Sequence, residues 1–147
     1  MKLDEIDLAN QLCFSIYNVH RLFNKFYKQA LAPFGLTYSQ YLILLSLWQR
    51  DRKNLHEIGN ELNLSSNTLT PLLKKMETTG WLKRIHPTED KRQLLIALTE
   101  KGQQQEAAIH QSIITRFDRN GFSIDQYRQA LAVNQKLVAQ LTKAVEK

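Results

Sequence analysis

Residues 54–98 constrain the chain most, because they hold two short apolar-periodic segments, a turn and two strand-like runs with little chain between them. Leu55, Ile58 and Leu62 recur at helical spacing behind Asn54, a residue suited to capping them. Asn63-Leu64-Ser65 makes a brief turn into a second segment, in which Leu69, Leu72, Leu73 and Met76 share one face and Ser66, Asn67, Thr70 and Lys74 the other. Two helices joined by so short a turn predict a helix-turn-helix. Gly80 suits the end of the second helix, after which residues 81–86 and 93–98 read as strands of a β-hairpin around the charged tip 87–92. Pro71 leaves the start of the second helix open. In a helix interior it deletes a hydrogen bond at a cost of about 3 kcal/mol, whereas a helix capped by Thr70 would hold it at the first position.

The remaining segments are helical. Leu8, Leu12, Ile16, Val19, Phe23, Phe26 and Ala30 recur every three or four residues until Pro33 and Gly35 end the pattern. Thr37 and Gln40 form a capping-box pair ahead of Tyr41, Leu44, Leu45, Leu47 and Trp48, and the charged run 50–53 closes that helix. Thr99 can cap a long helix ending near Phe117, and Ile124, Tyr127, Leu131, Val138, Leu141 and Val145 describe a last one. Glycines and prolines are scattered singly, without a linker, repeat or low-complexity tract. The expectation is a mainly α chain with a small β-hairpin wing, a single domain over residues 1–147.

Composition narrows the function classes. With 43% hydrophobic and 23% charged residues the chain is not of the disordered type. Its longest apolar runs, 41–45 and 94–98, fall far short of the roughly 18 residues that suggest a membrane span. The N-terminal residues lack a signal-peptide pattern, so a soluble, cytoplasmic protein without a membrane partner is expected. One cysteine, Cys13, forms no internal disulfide or cysteine-rich zinc site, and His20, His56, His86 and His110 lack metal-ligand spacing, so no metal or cofactor is implied. The net charge of +6 favours an anionic partner. Within residues 64–98, Lys74, Lys75, Lys83, Arg84, Lys91 and Arg92 outnumber Glu77, Glu89 and Asp90, so the excess lies on the helix-turn-helix and hairpin. Ser65, Ser66, Asn67, Thr68 and Thr70 suit contacts to base edges or phosphates of double-stranded DNA, with Lys74 and Lys75 supplying charge. At the tip, Arg92 beside Lys91 suits a minor groove, with Asp90 to orient it. Taken alone, the tip reads equally well as a solvated turn.

In this order, Leu69-Thr70-Pro71-Leu72-Leu73-Lys74-Lys75-Met76-Glu77, Glu89-Asp90-Lys91-Arg92 and Leu98-Thr99-Glu100-Lys101-Gly102 resemble the MarR family of winged-helix regulators, over nearly the whole chain. Gln11-Leu12-Cys13-Phe14 and Thr37-Tyr38-Ser39-Gln40-Tyr41 are similar to its OhrR-type branch, which senses organic hydroperoxides through one cysteine. The resemblance implies a homodimeric transcriptional repressor on a pseudo-palindromic operator. Residues 36–99 would form the winged helix-turn-helix, and 1–35 with 100–147 the helical dimerisation region. It also implies that the redox cysteine falls on Cys13 and its tyrosine partners on Tyr27 and Tyr38, with Tyr17 nearby. Where the family pattern has Asp-Ser-Gly, this chain has Ser65-Ser66-Asn67, which puts the base preference in question.

Cys13 and Tyr17 share a helix face, but Tyr27 lies about 21 Å further along the axis and cannot touch Cys13 of its own chain. Two first helices crossing antiparallel about a two-fold axis near His20 would set Cys13 against Tyr27 of the second subunit. A helix running from Leu8 holds Cys13 in its interior, which leaves phenolic hydrogen bonds to favour the thiolate. Peroxide would convert the thiolate to a sulfenic acid, which then forms a mixed disulfide with a low-molecular-weight thiol, cyclises onto a backbone nitrogen or overoxidises. The competing readings are a repressor relieved by non-covalent binding of a small aromatic ligand, a thiol peroxidase and a basic protein-interaction module. Neither a resolving cysteine nor a catalytic constellation supports an enzyme.

Overall fold

The computed structural model of the protein describes residues 7, 11–87 and 94–146. Most of the expected hairpin tip, including Asp90, Lys91 and Arg92, therefore lies outside the described residues. The elements are α1 (Leu12–Leu31), a 3-10 turn (Ala32–Phe34), α2 (Tyr38–Gln49), α3 (Leu55–Leu62) and α4 (Ser66–Thr78), then β1 (Leu82–Ile85), β2 (Leu95–Leu98), α5 (Glu100–Gln104), α6 (Glu106–Arg119) and α7 (Ile124–Val145). They form two compact units, residues 1–110 and 111–147. Among the described residues no single helix is long and apolar enough to cross a membrane.

In the first unit α2 is the core element. Thr37 and Gln40 close the capping box, and Ile43, Leu44 and Leu47 are buried. Asn54 caps α3 by accepting the Glu57 N–H at 2.8 Å, and Asn63 ends it in the left-handed conformation with φ 54°. The chain then turns tightly, with Leu64 N–H donating to the Gly59 carbonyl at 3.0 Å. Only glycine fits there, because a Cβ on residue 59 would stand 2.9 Å from the Leu64 carbonyl oxygen. Ser65 caps α4, and Pro71 sits inside that helix, so the alternative start at Thr70 is not adopted. The first turn is what this start adds: burying Leu69, at about 1.5–3 kcal/mol, together with the Ser65 cap, at about 1 kcal/mol, offsets the roughly 3 kcal/mol that a helical proline costs.

The hairpin pairs β1 and β2 antiparallel, from Leu82 opposite Leu98 to Ile85 opposite Leu95. Trp81 and His86 fall just outside the ladder, so the first strand is shorter than expected. Residues 50–53 do more than end α2. Lys53 exchanges backbone hydrogen bonds with Ile96, donating to its carbonyl at 3.1 Å and accepting its N–H at 2.8 Å, which adds a third piece to the sheet. Its side chain turns inward and is buried. There Nζ donates to the Ser46 carbonyl and Oγ, both at 2.9 Å, and to the Glu61 carboxylate at 2.8 and 3.1 Å. Asp51 Oδ1 accepts the Leu98 N–H at 2.9 Å. One short segment thus joins α2, α3 and the wing.

The long helix expected from Thr99 breaks at Gln105, whose ψ of −8° interrupts the regular path and divides α5 from α6. Thr99 caps α5 by accepting the Gly102 N–H at 3.1 Å and donates to the Gly80 carbonyl at 2.5 Å. Gly102 packs against Trp81, while its own carbonyl accepts the Trp48 indole N–H at 2.9 Å. In the second unit Phe117 meets Phe122 and Tyr127 edge-on, at 5.0 and 6.0 Å between centroids. Ser123 caps α7, along which Ile124, Tyr127, Leu131, Val138 and Leu141 are all exposed.

Two outcomes are expected. A Cβ on residue 102 would meet the Trp81 carbonyl oxygen at 2.5 Å, so the strain in Gly102→Ala exceeds the roughly 1 kcal/mol that alanine adds to helix propensity. Urea denaturation should show a net loss of about 2 kcal/mol. Hydrogen bonds from Lys53, then Ser46, hold the Glu61 carboxyl below its ordinary value of 4.5. That contribution to stability is present above pH 4.5 and is lost as pH falls through the lowered folded-state value. Glu61→Gln should therefore lower the melting temperature at neutral pH and flatten its decline in acid; melting curves of equal acid slope in both proteins would rule this out.

Candidate functional site

α4 separates its residues by the period of the helix. Leu69, Leu73 and Met76 are buried, whereas Ser65, Ser66, Asn67, Thr68, Thr70, Lys74 and Lys75 are all exposed. Their tasks differ. Ser65 Oγ accepts the Thr68 N–H at 3.4 Å and lies 3.2 Å from Thr68 Oγ1, so these two side chains satisfy each other at the helix start. Ser66, Asn67 and Thr70 make no side-chain hydrogen bond within the described residues, and their polar groups face solvent. Lys74 and Lys75 follow about 10–12 Å beyond Asn67 along the axis, and form no ion pair among the described residues. The helix presents hydrogen-bonding groups at one end and unpaired positive charge further on.

The wing is held against this helix from two sides. Arg84 on β1 pairs with Glu77 on α4, Nε to Oε2 at 2.9 Å, so one of the basic residues counted toward the interface is already neutralised. The Lys53 anchor fixes β2 from behind. Sequence reasoning missed Lys53, Ser46 and Glu61, because the lysine meets Ser46 and Glu61 through its side chain and Ile96 through its backbone, and no local pattern encodes that. Between α3, α4 and the wing lies a groove of about 370 Å³ lined by Leu55, His56, Thr70, Leu73, Arg84 and Ile96.

The candidate sensing residues are distributed over both ends of α1. Cys13 is exposed, and its Sγ lies 3.8 Å from Gln11 Oε1 as a weak donor. α1 begins at Leu12 behind an extended Gln11 with φ −77° and ψ 118°, which corrects the expectation that Cys13 sits in a helix interior. The sulfur lies in the first turn, beside the positive end of the helix dipole. Tyr17 is exposed one turn further on, as are Leu12, Ile16, Val19 and Leu22. At the other end Tyr27 and Tyr38 stack at 4.6 Å with 6° between their planes, and Tyr41 joins them at 5.5 Å from Tyr27. The chain therefore brings Tyr27 and Tyr38 together and keeps Cys13 apart from them, at about 21 Å from Tyr27 along the axis. Among the described residues no group of His, Cys, Asp and Glu is placed to hold a metal ion.

Residues 25–109 match the family described as transcriptional regulator SarA/Rot. The chain is 39% identical over 133 residues to the organic hydroperoxide resistance transcriptional regulator of Bacillus subtilis (strain 168), covering 88% of this chain and 90% of that protein. It is similar throughout to AbfR of Staphylococcus epidermidis. Reduced AbfR bound to DNA superposes with a TM-score of 0.84 at 47% identity, over 99% of this chain and 100% of that one. Overoxidised AbfR bound to DNA gives 0.80 at 46%, over 98% and 99%. The helix-turn-helix with its anchored hairpin and the agreement over nearly the full length lead to one conclusion: the chain belongs to the SarA/Rot-type, MarR-like family of winged-helix transcriptional regulators.

Proposed function

We propose that the protein is a homodimeric repressor that binds a pseudo-palindromic double-stranded operator through α4 and the wing, and releases it when an organic hydroperoxide oxidises Cys13. The observation that carries this reading is an exposed lone cysteine, on a helix whose neighbouring apolar side chains are also exposed, in a chain 39% identical to a hydroperoxide resistance regulator. Ser66, Asn67 and Thr70 would approach base edges, and Lys74 and Lys75 phosphates. Ser65 and Thr68 support them by capping. Arg92, beside Lys91 and oriented by Asp90, would reach the minor groove next to the recognition helix.

Dimerisation supplies what one chain lacks. The exposed faces of α1 and α7 are apolar surface that an isologous contact would bury. If two copies of α1 cross antiparallel near His20, each Cys13 meets the stacked Tyr27 and Tyr38 of the second subunit, whose hydroxyls favour the thiolate. The thiolate attacks one peroxide oxygen, the O–O bond breaks, the alcohol leaves after taking up a proton, and sulfur is oxidised to the sulfenic acid. A low-molecular-weight thiol then condenses with it, forming a disulfide and releasing water. The added group displaces the phenols and shifts the two recognition helices from their spacing of about 34 Å.

A second reading, relief by a small aromatic ligand bound without covalent chemistry, is favoured by the groove under the wing, which has the size of a small-molecule site. The two readings part at one substitution. Cys13→Ser should bind DNA as tightly as the native protein and no longer release it on treatment with cumene hydroperoxide, read by mobility shift beside mass spectrometry of the protein. Undiminished affinity of native protein with verified oxidation at Cys13 would exclude the sensor, and induction retained in Cys13→Ser would favour the ligand. Binding itself should be steeply salt-dependent, with Lys74→Ala weakening all duplexes alike and reducing the log–log salt slope by about 1.

A further inference from the structure

The exposed polar residues of α4 are not equivalent, and their hydrogen bonds show which one can discriminate between bases. Ser65 and Thr68 are occupied with each other at the helix start. Of the side chains left open, Ser66 and Thr70 end in hydroxyls, which rotate and serve as donor or acceptor, so they suit any base or a phosphate. Lys74 and Lys75 lie about 10–12 Å further along the axis, too far to share a base with the first turn. Asn67 is different. It is exposed in the first turn, makes no side-chain hydrogen bond within the described residues, and carries a donor and an acceptor in one rigid plane. That fork matches the N6 amino group and N7 of adenine in the major groove and no other base edge there.

We infer that Asn67 is the specificity-determining residue of α4, reading one adenine in each half-site through a bidentate hydrogen bond. The inference rests on the DNA-binding reading above, and the test separates the two. The full-length protein first selects sequences from a duplex pool with randomised positions. The selected duplex is then remade with 7-deazaadenine, which lacks the N7 acceptor, at each adenine in turn.

At one adenine per half-site the replacement, which removes one of the two hydrogen bonds, should weaken native protein by about 5-fold or more, up to the roughly 150-fold that a whole bidentate contact gives. Asn67→Ala, which removes the contact from both half-sites of the dimer, should lose affinity for the unmodified duplex by a larger factor, become indifferent to the replacement at that position, and keep its preferences elsewhere. Because residue 67 is exposed, the variant should melt with the native protein. An Asn67→Ala protein that selects the same adenine and keeps the full sensitivity to 7-deazaadenine overturns the assignment alone. A native protein that enriches no sequence overturns DNA reading and the assignment together.

Discussion

The ammonium group of Lys53 is the interior point on which the arrangement of the winged unit depends. A lysine taken out of water is costly unless its hydrogen bonds are replaced, and here the Ser46 carbonyl and hydroxyl and the Glu61 carboxylate replace them. These partners come from α2 and α3, while the backbone of the same residue pairs with Ile96 in β2. Removing the side chain would leave Glu61 without its counter-charge; removing the backbone pairing would leave the hairpin held by apolar contact, the Asp51–Leu98 hydrogen bond and the Arg84–Glu77 pair. The position of the wing relative to α4 is thus set by a charge that never reaches the surface.

This inner anchor leaves the outer face of α4 exposed to solvent. Caps and packing consume Ser65, Thr68, Leu69, Leu73 and Met76, and Arg84 is neutralised by Glu77. What remains open is a short set, Ser66, Asn67, Thr70, Lys74 and Lys75, that combines directional hydrogen bonding with unpaired positive charge. Charge of that kind serves any duplex, whereas the amide of Asn67 serves one base edge. In the proposed complex, affinity and selectivity would fall to different turns of one helix.

The proposed sensor follows another logic. α1 carries Cys13 in its first turn and Tyr27 near its last, and a rigid helix keeps them apart however the chain folds. Tyr27 and Tyr38 meet because α1 and α2 pack together, so one chain builds half of each thiol environment. In the proposed dimer the chemistry at sulfur is then necessarily chemistry at a subunit interface, which is why a change of a few atoms there can move recognition helices.

What the sequence alone determined was the local order. Thr37 with Gln40, Asn54 and Thr99 announced their helix starts because a cap acts over three residues. Apolar spacing identified the buried face of α4 for the same reason, since helical period is a property of neighbours in the chain. Tertiary structure decided the rest. Pro71 was accepted inside α4 because Leu69, in the turn before it, had a core to enter, and that core is made of distant residues. The charged run 50–53 ends α2 as its sequence suggested and also bridges to the sheet through a buried lysine, because its partners Ser46, Glu61 and Ile96 lie seven or more positions away. The stacking of Tyr27 on Tyr38 likewise needed two helices to meet. Short-range hydrogen bonds are written in adjacent residues; desolvation and packing are settled only when the whole chain has closed around them.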